Sequence, residues 1–294
     1  MICKFNTSNN NKKVIWEITN RCNFKCQYCI FNTRENFNEL SYDNCIKIID
    51  ELIKNDFDYI KFTGGEPFIR KDFINILKYA NNKINFDIST NASLIDENVI
   101  KELTNININF IHISLDGIKN NNDFMRGKDS FEKTINGIKL LKNSGKYIRI
   151  GCVLFKENEN NIEEFIKLLE DLNVDEVIFS IMEPFGILNG DLKHYVSKST
   201  KELEDILLNT KSKIKISYNW NSTINDKINT CPAGKKILFI DNNGNVSPCT
   251  WISKISDKYN LSLQQYSLSN ILKEYNINSN FCIYDKEIKN ARNK

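Results

Sequence analysis

The sequence predicts an α/β protein, a partial (β/α)6 barrel spanning residues 1–185 followed by a small second domain over residues 186–294. Three observations lead there. Short apolar runs alternate with longer stretches of helical period, which is the signature of βα units on a parallel sheet. The strands carry apolar side chains on one parity and polar side chains on the other. After "MEPFG" this rhythm gives way to a polar linker and a cysteine-bearing block. A length of 294 residues accommodates one large α/β unit, or a main domain with an appendage.

In chain order, strands are expected at Val14 to Ile18, Tyr59 to Thr63, Ile84 to Ser89, Ile108 to Leu115, Tyr147 to Leu154 and Glu176 to Met182. Helices are expected at Tyr42 to Lys54, Lys71 to Asn81, Asp96 to Leu103, Ser130 to Asn143 and Asn161 to Leu172. The stretch "SYDNCIKIIDELIKN" shows the basis: Ser41 can cap, and Ile46, Ile49, Leu52 and Ile53 recur at helical spacing. Beyond the linker a helix is expected at Thr200 to Leu208 and a strand at Ile214 to Ser217. "CPAGKKILFIDNNGNVSPC" then reads as Cys231, a strand Ile237 to Ile240, a tight turn at Asn242, Asn243 and Gly244, a short strand and Cys249. A last helix, Leu268 to Tyr275, precedes Cys282.

Strand parity says more than strand position. Val14, Trp16, Ile18, Ile60, Phe62, Phe86, Ile88, Ile111, Ile113, Leu115, Ile148, Ile150 and Cys152 share the apolar face. The opposite face carries Glu17, Lys61, Asp87, His112, Ser114 and Arg149. A closed eight-stranded barrel fills its interior with branched apolar side chains. A polar interior therefore implies an incomplete barrel around an open, wet cleft, with Glu17, His112 and Arg149 as candidates for catalysis. A satisfied interior imidazole is the alternative for His112, and mutual neutralisation that for Glu17 with Lys61.

The 40 basic and 37 acidic side chains give a formal charge of only +3, too little for a dedicated nucleic-acid or membrane surface. No apolar run approaches the roughly 18 residues of a membrane span. "MICKFNTSNN" lacks a secretory signal, so a reduced, cytoplasmic chain is expected. Against that background "TNRCNFKCQYCIFNT" gathers Cys22, Cys26 and Cys29 in one loop. Three is odd, which disfavours disulfides. Structural zinc wants four Cys or His ligands, and no fourth stands nearby. Thiolates at this spacing also hold iron–sulfur clusters, where three ligands leave one iron of a four-iron cluster open.

"CNFKCQYC", with Tyr28 before its third cysteine, resembles the CxxxCxxC motif of the radical S-adenosylmethionine (radical SAM) superfamily. "FTGGEPFIR" resembles the same superfamily's GGEP loop at Gly64, Gly65, Glu66 and Pro67. Either motif alone is weak; together, in that order and after the first two strands, they identify the family. The resemblance implies a 4Fe-4S cluster on Cys22, Cys26 and Cys29, with S-adenosylmethionine (SAM) chelated to the open iron. It implies contacts to SAM from Tyr28 and the GGEP loop, from Ser89 and Asn91 of "STNAS", from Ser114 and Asp116 of "SLDG", and from Arg126 of "MRG". Arg126 would pair with the SAM carboxylate; its alternative is a solvated loop arginine.

The C-terminal block is similar to the opening of the SPASM and Twitch auxiliary-cluster domains, with Cys231, Gly244 and Cys249 in CX12GX4C spacing. A SPASM domain would continue with further cysteines; this chain offers only Cys282. That departure implies a Twitch-like domain with one auxiliary iron–sulfur cluster on Cys231, Cys249 and Cys282, against the alternative of structural zinc or buried thiols. Cys45, in a helix, and Cys152, on the apolar parity, are expected to be packed thiols.

By the resemblance, the chain is an enzyme that cleaves SAM to a 5′-deoxyadenosyl radical, which abstracts hydrogen from a substrate. The favoured substrate is a ribosomally made peptide undergoing oxidation or cross-linking. A small molecule such as an aminosugar, nucleoside or cofactor precursor is the alternative, and a non-catalytic iron–sulfur or zinc protein the alternative of another class. Only about 13 residues precede the first strand, too few for the peptide-recognition domain some peptide modifiers carry there, which weakens the peptide reading without removing it. The expected partners are an external electron donor such as flavodoxin or ferredoxin and a separate peptide-recognition protein.

Overall fold

Val14 and Trp16 alternate out of β1 (Lys12–Glu17) into a core from which solvent is fully excluded. The structure, a computed structural model, describes residues 11–29, 38–182, 193–220, 232–255 and 257–275. After β1 come α1 (Tyr42–Lys54), β2 (Phe57–Thr63), α2 (Phe73–Ala80), β3 (Asn85–Thr90), α3 (Glu97–Leu103), β4 (Ile111–Ser114), α4 (Lys119–Arg126) and α5 (Ser130–Asn143). Then follow β5 (Ile148–Leu154), α6 (Ile162–Asp171), β6 (Glu176–Ile181), α7 (Thr200–Asn209) and β7 (Lys215–Tyr218). The C-terminal part adds β8 (Ile237–Ile240), β9 (Asn245–Ser247), α8 (Ile252–Ile255), β10 (Leu261–Ser262) and α9 (Leu268–Glu274).

Strands β1 to β7 run parallel in sequence order, as successive βα units require. All thirteen residues assigned to the apolar parity are buried to 1% exposure or less. Phe62 stands at the centre of this layer, edge-on to Phe73 of α2 at 5.8 Å and to Phe86 of β3 at 5.6 Å. Each such ring contributes roughly 1.5–3 kcal/mol by burial. Ser41 caps α1 by accepting from the Asn44 amide, as the sequence suggests. Among the described residues no helix is long and apolar enough to cross a membrane.

Two departures have local causes. β4 begins at Ile111, not Ile108, because the Asn107 amide and side chain are tied to Asn81 and Asn82 beyond α2. α4 was not expected, since "KNNNDFMR" is rich in poor helix formers. It is held by tertiary bonds: the buried Asn122 side chain accepts from the Asp116 amide at 3.0 Å and donates to Ser130 Oγ at 2.8 Å.

The C-terminal strands continue the same sheet. β8 pairs in parallel with β1, on the edge opposite β2, while β9 and β10 extend it antiparallel. The β8–β9 turn at Gly244 (φ +83°) then meets the segment that leaves the cysteine loop: the Leu40 amide donates to Asn242 O at 3.1 Å.

Candidate active site

The loop after β1 carries Cys22, Cys26 and Cys29, none of them in a disulfide, with Cys22 exposed and the other two half-buried. Both its approaches are fastened. Arg21 grips Glu39 through Nε at 2.8 Å and Nη2 at 3.0 Å. Arg70, buried just beyond the GGEP stretch, donates to Ile18 O at 3.0 Å and Leu40 O at 2.7 Å. Burial pushes the Cys22 thiol up to about 11 and that of Cys26 up to about 12; the Phe24 amide opposes the shift at Cys22, and Arg126 opposes it at Cys26.

The Gly-rich loop after β2 lies directly on this segment. The Gly65 amide donates to Thr19 O and the Glu66 amide to Arg21 O, each at 2.8 Å. A Cβ at Gly64 would stand 2.4 Å from Thr19 O, and one at Gly65 2.1 Å from Arg21 O. The two glycines are thus required by the close approach of two backbones. The fully buried Glu66 side chain accepts from the amides of Phe68 and Asn91, at 3.1 and 2.7 Å, and from Thr90 Oγ1 at 2.8 Å. Burial raises its pKa to about 7, against these three donors. Pro67 opens the short turn Pro67–Ile69. The Asn91 side chain donates to Asn23 at 3.0 Å and lies 4.0 Å from Cys22 Sγ.

On the other flank Asp116 gathers three elements. Its Oδ1 accepts from the Val153 amide at 2.9 Å, and its Oδ2 accepts from the Tyr28 hydroxyl at 2.5 Å and stands 2.6 Å from Arg126 Nε. Arg126 also donates to the Tyr28 hydroxyl and reaches to 3.9 Å from Cys26 Sγ. Arg126 is therefore a buried, paired residue ending α4, and the solvated-loop alternative is wrong. Burial raises the Tyr28 pKa well above its ordinary value, so the hydroxyl keeps its proton and donates.

Below this rim the inner face carries the expected polar residues. Lys61 pairs with Asp87 at 3.7 Å, and Lys13 approaches the same carboxylate to 3.5 Å. Arg149 donates to Glu176 at 2.8 Å and lies over the Phe110 ring, 3.9 Å from its centroid. Glu17 is fully buried, whereas Ser89, His112 and Ser114 are half-buried. Burial, reinforced by Lys61 and Arg149, holds the His112 pKa well below its ordinary value. Cys45 and Cys152 are packed in the core, as expected. Cys249 is half-buried after β9, beside Ala233 and Ile252. Cys231 and Cys282 lie outside the described residues.

Residues 16–169 match the profile of the Radical SAM superfamily. The chain belongs to the radical SAM superfamily of enzymes. Among curated relatives it is 32% identical over 198 residues to the Fe-coproporphyrin III synthase of Methanosarcina barkeri, covering 65% of this chain and 50% of that protein. It is 29% identical over 259 residues to the mycofactocin maturase MftC of Mycolicibacterium smegmatis, covering 83% of this chain and 65% of that one. The chain thus spans half to two thirds of the length of these relatives. Its fold matches that of Streptococcus suis SuiB bound to S-adenosylmethionine, with a TM-score of 0.75 at 19% identity, over 91% of this chain and 66% of SuiB. SuiB bound to its precursor peptide SuiA matches equally, TM-score 0.75 at 18% identity, over 94% and 66% of the two chains.

The residues present fit the cluster and SAM that a radical SAM protein uses. Three soft thiol donors in one partly exposed loop, with a cation near one sulfur, suit an iron–sulfur cluster. Among the described residues no three His, Cys, Asp or Glu side chains form a ready site for a single metal ion. Burial favours the thiol form of Cys22 and Cys26, so holding a cluster as thiolates would release their protons. Sequence reasoning missed Arg70, Asn122 and Asn158. Arg70 was legible as the charge closing "FTGGEPFIR", but Asn122 and Asn158 carried no signal. Asn158 donates to Asp116 O at 3.1 Å and Val153 O at 2.8 Å, bonds that exist only once the strands are assembled.

Proposed function

We propose that this chain is a radical SAM enzyme that oxidatively modifies or cross-links a ribosomally made peptide, with Cys22, Cys26 and Cys29 holding the SAM-binding cluster. The observation that carries the reading is the cysteine loop seated on the Gly64–Glu66 backbone, which joins the two family motifs in one site at the C-terminal ends of β1 and β2. When bound, the cluster and SAM supply one-electron reductive cleavage and hydrogen-atom abstraction. The chain's own residues orient and seclude. Glu66 holds the Gly loop to β3, leaving loop carbonyls to accept from the SAM ammonium. Ser89, Asn91 and Ser114 offer hydroxyl and amide groups toward its ribose and carboxylate. Arg126, with Asp116 and Tyr28, sets the flank on which the carboxylate docks.

A peptide substrate is supported by the maturase MftC, matched over 83% of this chain, and by SuiB with its bound precursor peptide. The small-molecule reading is supported by the Fe-coproporphyrin III synthase relative. We assign residues 186–294 to an auxiliary-cluster unit with Cys231, Cys249 and Cys282 as ligands, electrons arriving from a flavodoxin- or ferredoxin-type donor in the cytoplasm. Anaerobic incubation of the iron-loaded chain with SAM and a reductant tests the first claim. Deoxyadenosine should form, and Cys22→Ala, Cys26→Ala or Cys29→Ala should each abolish it; undiminished formation in these variants removes the assignment. Cys282→Ala should spare deoxyadenosine but lose a second low-temperature EPR signal. Incubation with peptides encoded beside this gene, followed by mass spectrometry, separates the two substrate classes.

A further inference from the structure

We infer that His112, Lys61 and Arg149 form the subsite that receives a carboxylate group of the substrate, on the floor of the cleft below the cysteine loop. The inference rests on the radical SAM reading for there being a substrate in the cleft, and adds the chemistry by which it is held.

The three residues lie on neighbouring strands and on the same polar parity. His112 of β4 is in register with Arg149 of β5 on one side and Ser89 of β3 on the other, and β2, which bears Lys61, is next in the sheet. The imidazole has a place made for it. A Cβ at Gly151 of β5 would stand 2.3 Å from His112 Nε2, so the ring occupies the space a side chain there would fill. Among the described residues it has no hydrogen-bond partner, although a half-buried imidazole has both a donor and an acceptor to satisfy.

The charges around it are unequal. Asp87 is shared by Lys13 and Lys61, at 3.5 and 3.7 Å. Glu176 is shared by Arg149 and Lys215, at 2.8 and 3.1 Å. Each of these two carboxylates meets two cations, and Lys61 and Arg149 both act on the imidazole. Lys61 and Arg149 keep 24% and 27% of their side chains exposed, so neither is sealed into the core. A neutral imidazole N–H, an ammonium and a planar guanidinium are together the donor set for one carboxylate.

The chain has only two histidines, which makes the test direct. In iron-loaded protein labelled with ¹⁵N-histidine, His194, paired with Glu157 at 2.6 Å, serves as internal control. The probes are acetyl-glutamate amide, with a side-chain carboxylate, acetyl-alanine, with a terminal one, and neutral acetyl-glutamine amide, at matched ionic strength. A saturable shift of the His112 resonances is expected with a carboxylate probe and not with the neutral amide; which carboxylate acts tells whether the substrate presents an acidic side chain or a chain end. Lys61→Met and Arg149→Gln should each weaken binding about 10-fold, the loss of one charged hydrogen bond. Circular dichroism checks that both variants fold. Equal response to the neutral amide, no response of His112, or unchanged affinity in both folded variants overturns the subsite. Deoxyadenosine formation, measured on the same samples, reports separately on the radical SAM reading.

Discussion

The rim of the cleft and its floor both carry buried charge, but they spend it differently. At the rim Asp116 has one cation, Arg126, and its remaining acceptor capacity is taken by the Tyr28 hydroxyl and the Val153 amide. Glu66 likewise meets three donors of its own chain. On the floor two carboxylates each serve two cations, and His112 is left without a partner among the described residues. Rim charges hold loops in place, whereas floor charges leave a positive surplus for something from outside. A buried polar network fixes geometry only when it is fully satisfied.

The largest effect that would test this contrast is at Asp116. Asp116→Ala leaves Arg126 buried without its counter-ion, and denaturant unfolding should show a loss of about 3–5 kcal/mol. A loss under about 1 kcal/mol would break the comparison. Next, Gly65→Val drives a side chain into the Arg21 carbonyl, so the variant should retain much less iron after reconstitution. Wild-type iron content would mean that the two loops are not interlocked.

Glu66 gives a pH signature. Its carboxyl keeps its proton up to about 7 in the folded chain but releases it near 4.5 when unfolded. Stability should therefore fall as pH rises between those values and be flat outside them, by on the order of 3 kcal/mol in all. Glu66→Gln should flatten the profile; an unchanged slope would place the titration elsewhere. The smallest effect is expected on the floor. Lys13 and Lys61 are about a quarter exposed, so water can solvate them once Asp87 is neutralised. Asp87→Asn should cost about 1–2 kcal/mol, well below Asp116→Ala. Similar costs at the two sites would erase the distinction between rim and floor.

Much of this was legible in the residues. The period-2 runs placed β1 to β6, and the predicted bounds of α1 and α5 coincide with those observed. Strand parity alone separates the core face from the polar face. The cysteine spacing and "GGEP" located the site. What could not be read was which polar groups would meet. Lys61 pairs with Asp87 and not with Glu17, the neighbour on the adjacent strand. Arg126 reads as an ordinary loop cation until α4, made of unpromising residues, forms against Asp116.

The sequence by itself determined the kinds of element, the two faces of the sheet and the chemistry of its loops, because these depend on periodicity and on spacings of a few residues. Tertiary structure alone decided that β8, more than two hundred residues beyond β1, would pair with it, so that the C-terminal block extends the barrel sheet and its Gly244 turn braces the exit of the cysteine loop. It also decided that two glycines would be needed where two backbones touch, and that the cations on the floor would outnumber their carboxylates. Local pattern encodes what a segment becomes; which distant edge it pairs with depends on the backbone hydrogen bonds and apolar surface still unsatisfied when the remaining strands are in place.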